Sequence, residues 1–388
     1  MFMTRRAIER PCAPHLFSAL IACALPIAIL CGGRLLAIYL EKKTIHATAP
    51  KDFFIKNQGL AFQRAAGRAS DILLLYGSSE LIDPVLNRAS DFFSSGSSGF
   101  EVCPVGNAGA TALITLQKLG ALGSNLRDRK VVILLSPSWF FKPAVNPYRY
   151  AGNFSLPAAS GILFGDALDW NLKTEIVKRM SQFPDTLEKS ALLQLAAACI
   201  ASGHPLDRIV LMAIWPLGKL QNTVLDLQDH FEALIYILGG GRPVPWHGRI
   251  VNPRKAPADD GQQAVTTESL GATRSARDAA FRARITAASE WIDVELLFRT
   301  LTALRAKPLI LSLPVDSALY EAQGVSQSAH QVYYARLSEL AQRYHFPLIQ
   351  FEDHDGDPAF LIAHREHPTP KGWMYYDRAL DDFFHKTK

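Results

Sequence analysis

Two short stretches near opposite ends of the chain hold the side chains best suited to chemistry. The first is Asp71 to Tyr76 (DILLLY) followed by Gly77-Ser78-Ser79-Glu80-Leu81. An apolar run stopped by glycine reads as a buried strand. A strand that feeds a Gly-Ser turn into a helix brings a hydroxyl to the carboxyl edge of a sheet, where open α/β sheets bind their ligands. The rival reading is a serine that only caps the helix. The second stretch is His364-Arg365-Glu366-His367-Pro368-Thr369-Pro370-Lys371-Gly372-Trp373, between the last strand and a terminal helix. A histidine here can reach the same sheet edge and act as general base for a serine nucleophile. Its bland reading is a loop histidine bonded to backbone.

Between them, Val105-Gly106-Asn107-Ala108-Gly109-Ala110-Thr111 forms a glycine-rich turn entering a helix. Its backbone N–H groups are placed to face an oxyanion, or the glycines simply serve a tight turn. Neither GxxxxGK[ST] nor GxGxxG is present, so nucleotide binding is not supported. Asp353-His354-Asp355-Gly356-Asp357 hints at a calcium loop, but its twelfth position is His364 rather than Glu. His364 and His367 lack the HExxH or HxxEH setting of a zinc site. We therefore expect neither a metal nor a cofactor. Trp139 and Trp373 could stack on sugar, and a core position is preferred for Trp139.

These residues need a scaffold. Val131 to Leu135, Pro308 to Leu313 and Pro347 to Phe351 also read as buried strands. Helical patterns lie between, over 111–122, 187–201, 217–238, 272–306 and 326–344. The alternation predicts an α/β fold with a parallel sheet and helices on both faces. Residues 160–238 carry helical pattern without a strand and read as a helical insertion. Residues 239–270, rich in Gly, Pro and polar residues, read as a long surface loop.

The 388 residues carry a net charge of +5, with 48% hydrophobic and 20% charged residues and 5 Cys. That excludes a disordered chain, a disulfide scaffold and a dedicated nucleic-acid binder. The apolar share is uneven. Leu16 to Gly33 has no charge, and Leu35 to Leu40 extends it past Arg34, so residues 15–40 are long enough to span a bilayer. Arg34 can snorkel to the interface. Arg5, Arg6 and Arg10 favour a cytoplasmic N-terminus over residues 1–14. Cleavage at Ala47-Thr48-Ala49, or at a lipobox-like Leu20-Ile21-Ala22-Cys23, is less consistent with the length and apolarity of the segment. Residues 41–70 read as a membrane-proximal linker, and 71–388 as the main extracytoplasmic domain. Cys103 and Cys199 are the cysteines clear of the anchor region; a disulfide between them is permitted but not signalled.

GSSEL after the first strand, the VGNAGAT turn, SPSWF at 136–140 and H-x4-GW at 367–373 occur in an order that resembles the DltD family. KPLILSLPV at 307–315, a helix, and FPLIQF at 346–351 resemble its C-terminal part. The resemblance implies an SGNH-hydrolase-like, flavodoxin-like three-layer parallel sheet behind one N-terminal transmembrane helix. It implies acyl transfer to a cell-surface polysaccharide or polymer, as in D-alanylation of teichoic acids. It assigns Ser79 as nucleophile, Ser78 to the position of Asp in the wider GDS signature, Gly109 and Ser138 to the oxyanion, and His367 as the catalytic histidine. Relatives place an amide side chain where Ser138 stands. The family pattern is D-x-x-H, and here His364 replaces the Asp, so Glu366, Asp357 or Asp355 would have to substitute, or the site would be a Ser–His dyad.

The expected activity is thus a membrane-anchored serine acyltransferase or esterase. The family implies as partner a polytopic membrane O-acyltransferase. The contrasting expectation, favoured by the missing Asp, is a non-catalytic accessory subunit of a polysaccharide synthase or export complex, for example an exopolysaccharide or cellulose system. The compositional lean to a high-GC source suggests a periplasm, and a transferred D-alanyl or acetyl group stays open.

Overall fold

A computed structural model describes residues 14–95, 98–241, 273–362 and 366–386. Its centre is a five-stranded, all-parallel sheet of β1 (Ile72–Gly77), β2 (Glu101–Gly106), β3 (Lys130–Leu135), β4 (Lys307–Ser312) and β5 (Leu348–Gln350), in the order β2-β1-β3-β4-β5. This is the flavodoxin-like strand order, whose reversal point lies between β1 and β3. Every residue of β1 is buried, as the strand of a sheet covered on both faces must be. Alternate residues enter opposite cores: Ile72, Leu74 and Tyr76 on one face, Leu73 and Leu75 on the other.

The helices follow in chain order. Before the sheet come α1 (Pro14–Thr48), α2 (Phe54–Gln58) and α3 (Ala61–Arg68). Between the first three strands lie α4 (Ala89–Phe93) and α5 (Ala112–Leu122). The long excursion from β3 to β4 holds α6 (Pro147–Asn153), α7 (Leu156–Phe164), α8 (Trp170–Met180), α9 (Pro184–Leu187), α10 (Ala191–Ser202), α11 (Pro205–Leu238), α12 (Arg274–Ala287) and α13 (Glu290–Ala303). The C-terminal part adds α14 (Ser317–Ala322), α15 (Gln327–Arg343), a two-stranded antiparallel ribbon β6 (Leu361–Ile362) and β7 (His367–Pro368), and α16 (Pro370–His385). One sheet face packs on residues of α4 and α16, including Phe93, Trp373, Tyr376 and Leu380. The other packs on residues of α3, α5, α13 and α15 in the larger core.

Four of the five main strands and the α/β class agree with the sequence reading. The fifth, β2, escapes it because Pro104 interrupts EVCPVG, and proline is tolerated only at a sheet edge. β2 is such an edge. The helical pattern expected over 272–306 is two helices, broken at Ala288, whose ψ of 130° is non-helical. Residues 41–70 are not a linker: Glu41 and Lys56 are buried, and Ala61, Phe62 and Ala66 belong to the larger core. Most of the expected long loop, 242–270, lies outside the described residues. Cys103 and Cys199 are both free.

Helix α1 contains the chain's long apolar segment. Phe17–Thr48 is long and apolar enough to cross a membrane, with a mean hydropathy of 2.1 over its most apolar window. It is exposed up to Gly32 and packs on the domain from Gly33 onward.

Candidate active site

The site is built at the carboxyl ends of β1 and β3, beside the point where the strand order reverses. β1 ends at Gly77, paired in register with Gly106 of β2. A side chain at Gly106 would come within 2.8 Å of the Gly77 carbonyl carbon, and one at Gly77 would strike Glu80 Oε1. Glycine at both places lets the backbone turn sharply out of the sheet. The turn is a single 3-10 turn, Ser79–Leu81, not the helix expected from sequence. Buried Glu80 reaches back to accept the Ser78 N–H at 2.5 Å, and the Ser78 hydroxyl donates to the Asn107 carbonyl at 3.2 Å. Ser78 thus fixes the turn, while Ser79 is left partly exposed and points elsewhere.

Ser79 Oγ lies 2.9 Å from His367 Nε2. His367 opens β7, held in antiparallel register with Ile362 of β6. Its other ring nitrogen, Nδ1, lies 2.5 Å from Asp83 Oδ2. A carboxylate can only accept, so Nδ1 carries the hydrogen and Nε2 is left as acceptor for the serine hydroxyl. Ser79, His367 and Asp83 therefore form a hydrogen-bonded chain with the geometry of a nucleophile, its base and the base's orienting acid.

Asp83 is not among the residues that the sequence singles out. The sequence points to the C-terminal loop for the acid, and the structure places those residues otherwise. His364 lies outside the described residues. Asp357 accepts the Ala359 N–H at 2.8 Å and lies 3.4 Å from His354 Nδ1. Asp355 accepts the Val315 N–H at 2.8 Å and the Tyr334 hydroxyl. Glu366 precedes His367 with a φ of +50°, a region non-glycine residues seldom adopt. Its side chain is buried and accepts from Ser138 and from Tyr320, the latter at 3.3 Å. Burial pushes its carboxyl up to about 7. The hydrogen bond on His367 Nδ1 belongs instead to Asp83, four residues after Ser79. The only sequence signal for it is an acid in the same turn, followed by Pro84, which stops a helix from forming there.

A cavity of about 130 Å³ opens in front of Ser79, lined by Gly109, Thr111, Ser138, Trp139, Arg149 and His367 among others. Gly109 has a φ of +79°, and a Cβ on it would lie 2.7 Å from the Arg149 side chain. Both features require glycine. Ser138 sits in a 3-10 turn after β3, with its hydroxyl 2.8 Å from that of Ser136. Gly109 and Ser138 thus line the same cavity as Ser79. Trp139 packs partly against the larger core and also lines this cavity, while Trp373 is buried in the core beneath α16. Glu290 lines the cavity too and accepts the Ala112 N–H at 2.7 Å. Its burial, with Asp293 nearby, raises its carboxyl well above the usual range. No group of His, Cys, Asp and Glu suited to a metal ion occurs among the described residues.

A family model described as "DltD protein" matches residues 54–385. The chain belongs to the DltD family. It is 25% identical over 341 residues to Protein DltD of Bacillus subtilis (strain 168), covering 84% of this chain and 86% of that one. It is 21% identical over 327 residues to Protein DltD of Staphylococcus aureus (strain NCTC 8325 / PS 47), covering 79% of each. The match embraces Ser79, Asp83, Gly109, Ser138 and His367 alike.

Proposed function

We propose that this DltD-family protein is a membrane-anchored serine acyltransferase or esterase that O-acylates a cell-surface polymer, with Ser79 as nucleophile. The observation that carries the reading is the Ser79–His367–Asp83 chain, 2.9 Å and 2.5 Å long in its two links. In the reaction, Ser79 Oγ attacks the carbonyl carbon of an activated acyl group as His367 Nε2 takes its proton. The oxyanion is met by the backbone N–H groups of Gly109 and Ser79, and by the Ser138 hydroxyl once it turns its one hydrogen from Glu366 to the substrate. The leaving group departs with the proton from His367. A polymer hydroxyl then attacks the acyl-serine, giving its proton to His367, which passes it to the departing Ser79 Oγ as the ester moves to the polymer. Water in the same place makes the site an esterase.

Family membership supports D-alanylation of a cell-envelope polymer as the physiological setting. The SGNH-like character rests on the strand order, on the serine after β1 and on the histidine near the C-terminus. Lys142 and Arg149 line the same cavity, which suits an anionic acceptor such as a phosphate-bearing polymer. Family membership supports a membrane O-acyltransferase as donor partner, and the arginines before α1 support a domain outside the cytoplasm. The non-catalytic alternative draws its support from the absent acid of the C-terminal loop, and Asp83 removes that support.

The test is labelling of the detergent-solubilised full chain with a fluorophosphonate probe. Labelling that is lost in Ser79→Ala and in His367→Ala is the expected result. Absence of labelling in the parent protein at neutral and mildly alkaline pH alike would sink the nucleophile assignment.

A further inference from the structure

The N-terminal half of α11 presents an apolar stripe that none of the described residues covers. Leu206, Ile209, Val210, Leu217, Leu220 and Val224 recur at steps of three, four and seven residues, so they share one helix face. All six are exposed, Leu206 at 63% and Leu220 at 59%. The opposite face is packed: Leu211 is buried, a Cβ on Gly218 would collide with Phe164 of α7, and Ser160 of α7 bonds Asn222. A long stripe of this kind on a soluble surface marks a contact with another apolar phase.

The anchor says which phase. Phe231 lies seven residues beyond Val224, on the same face of α11. A Cβ on Gly33 of α1 would lie 2.6 Å from the Phe231 ring. Gly33 is also where α1 passes from its exposed apolar segment to its packed one. Next to it, Arg34 pairs with Asp226 at 2.9 Å, and Glu41 of α1 meets buried His230 at 2.8 Å. Through Phe231 the anchor becomes free of the protein beside the C-terminal end of the stripe, and the Arg34–Asp226 pair, on the packed side of α11 one turn beyond Asn222, holds the two helices together there.

We propose that α11 is a second membrane contact: its half from Pro205 to Val224 lies in the bilayer interface with the stripe against lipid. This rests on the reading of α1 as a membrane anchor. The contact would fix the height and tilt of the Ser79 site above the membrane, where a single helix alone would let the domain swing.

The test uses the full chain with Cys12, Cys23 and Cys31 replaced by alanine, reconstituted into phosphatidylcholine–phosphatidylglycerol vesicles. A polarity-sensitive fluorophore is attached at Ile209→Cys or Leu220→Cys, at Leu25→Cys within the anchor, and at Glu339→Cys on α15 as the distant control. Both stripe residues are exposed, so labelling removes no core packing, and two positions guard against the failure of one. A nitroxide lipid labelled near the headgroup should remove about half or more of the emission at 209 and 220, and leave 339 unchanged. Quenching at 25 with none at 209 and 220 overturns the proposal while leaving the anchor reading intact. If a membrane-protein fraction, rather than lipid alone, is needed to shield 209 and 220, the proposal is likewise overturned. Quenching at none of the three positions 25, 209 and 220 overturns both.

Discussion

The carboxylate of Asp83 accepts a hydrogen bond from His367 at 2.5 Å, although 284 positions separate the two residues. Ser79 and Asp83 thus leave the sheet on one short turn after β1, and only His367 comes from the far end of the chain. The turn is braced by Glu80 and by the glycines at 77 and 106. His367 is braced by the β6–β7 pair and by buried Glu366. The three groups meet because these two segments meet.

Asp83→Asn should therefore be the most informative change that spares both Ser79 and His367. An amide can present its NH2 to Nδ1 and leave the ring in the wrong tautomer. The expected loss in kcat is on the order of 10⁴, with KM little changed. Glu366→Gln, which leaves the Asp83 contact in place, should lose far less. Hydrolysis of an activated ester by both variants decides the matter. A large loss in Glu366→Gln beside a near-normal Asp83→Asn would return the orienting role to the C-terminal loop.

Gly109→Ala tests the oxyanion assignment. The φ of +79° penalises any Cβ, and the new methyl would meet Arg149. The conformational cost is about 1–2 kcal/mol, and the displaced N–H should lower kcat by about 10²–10³. Because acylation and oxyanion binding share this N–H, fluorophosphonate labelling should slow in parallel with ester turnover. Normal kinetics in a folded Gly109→Ala protein would show that this N–H does not face the reacting carbonyl.

Much of this site is legible in the amino-acid sequence. Ser79 and His367 are marked by their settings, one after a buried strand and the other before the last helix, and in the fold they touch. Gly109 stands out because two glycines in one turn signal an unusual backbone. Asp83 is illegible for a physical reason. Its role depends on a side chain from the other end of the chain, and a lone acid in a surface turn looks like any other. The same holds for residues 41–70, whose polar composition suggests a linker. The buried Lys56 ammonium donates to the Ala49 and Lys51 carbonyls, and Asp229 accepts the N–H groups of Leu60 and Ala61 at 2.7 Å. Such partners are remote or backbone groups, invisible to periodicity.

Arg179→Met should destabilise the domain through the helices behind the site. The guanidinium donates twice to Asp293, at 2.7 Å in each bond, and the pair is nearly dry. Asp293 stands one turn from Glu290, which holds the start of α5 beside the cavity. Removing the arginine strands a buried carboxylate, at a cost of about 3–5 kcal/mol. Replacing both partners, as in Arg179→Met with Asp293→Leu, should recover most of that. Thermal unfolding in detergent measures both; equal stability of Arg179→Met and the parent would mean that the pair contributes nothing.

The pH dependence of stability should carry the signature of Asp377. This residue of α16 is buried, and neither carboxylate oxygen has a hydrogen-bond partner. Desolvation pushes its carboxyl up to about 8. The folded protein therefore holds a proton that the unfolded chain releases near pH 4. With more protons bound in the native state, stability falls as pH rises, by about 1.4 kcal/mol for each pH unit between the two values. Above about 8 the penalty is complete. Glu366, raised to about 7, adds a similar fall that ends one unit earlier. Asp377→Asn removes an ionisable group while keeping the shape, so its advantage over the parent should be absent near pH 4 and grow steadily to about pH 8. Unfolding temperatures of the two proteins, measured across that range, should diverge. Parallel curves would mean that Asp377 finds solvent or a partner in the folded protein and is ionised at neutral pH.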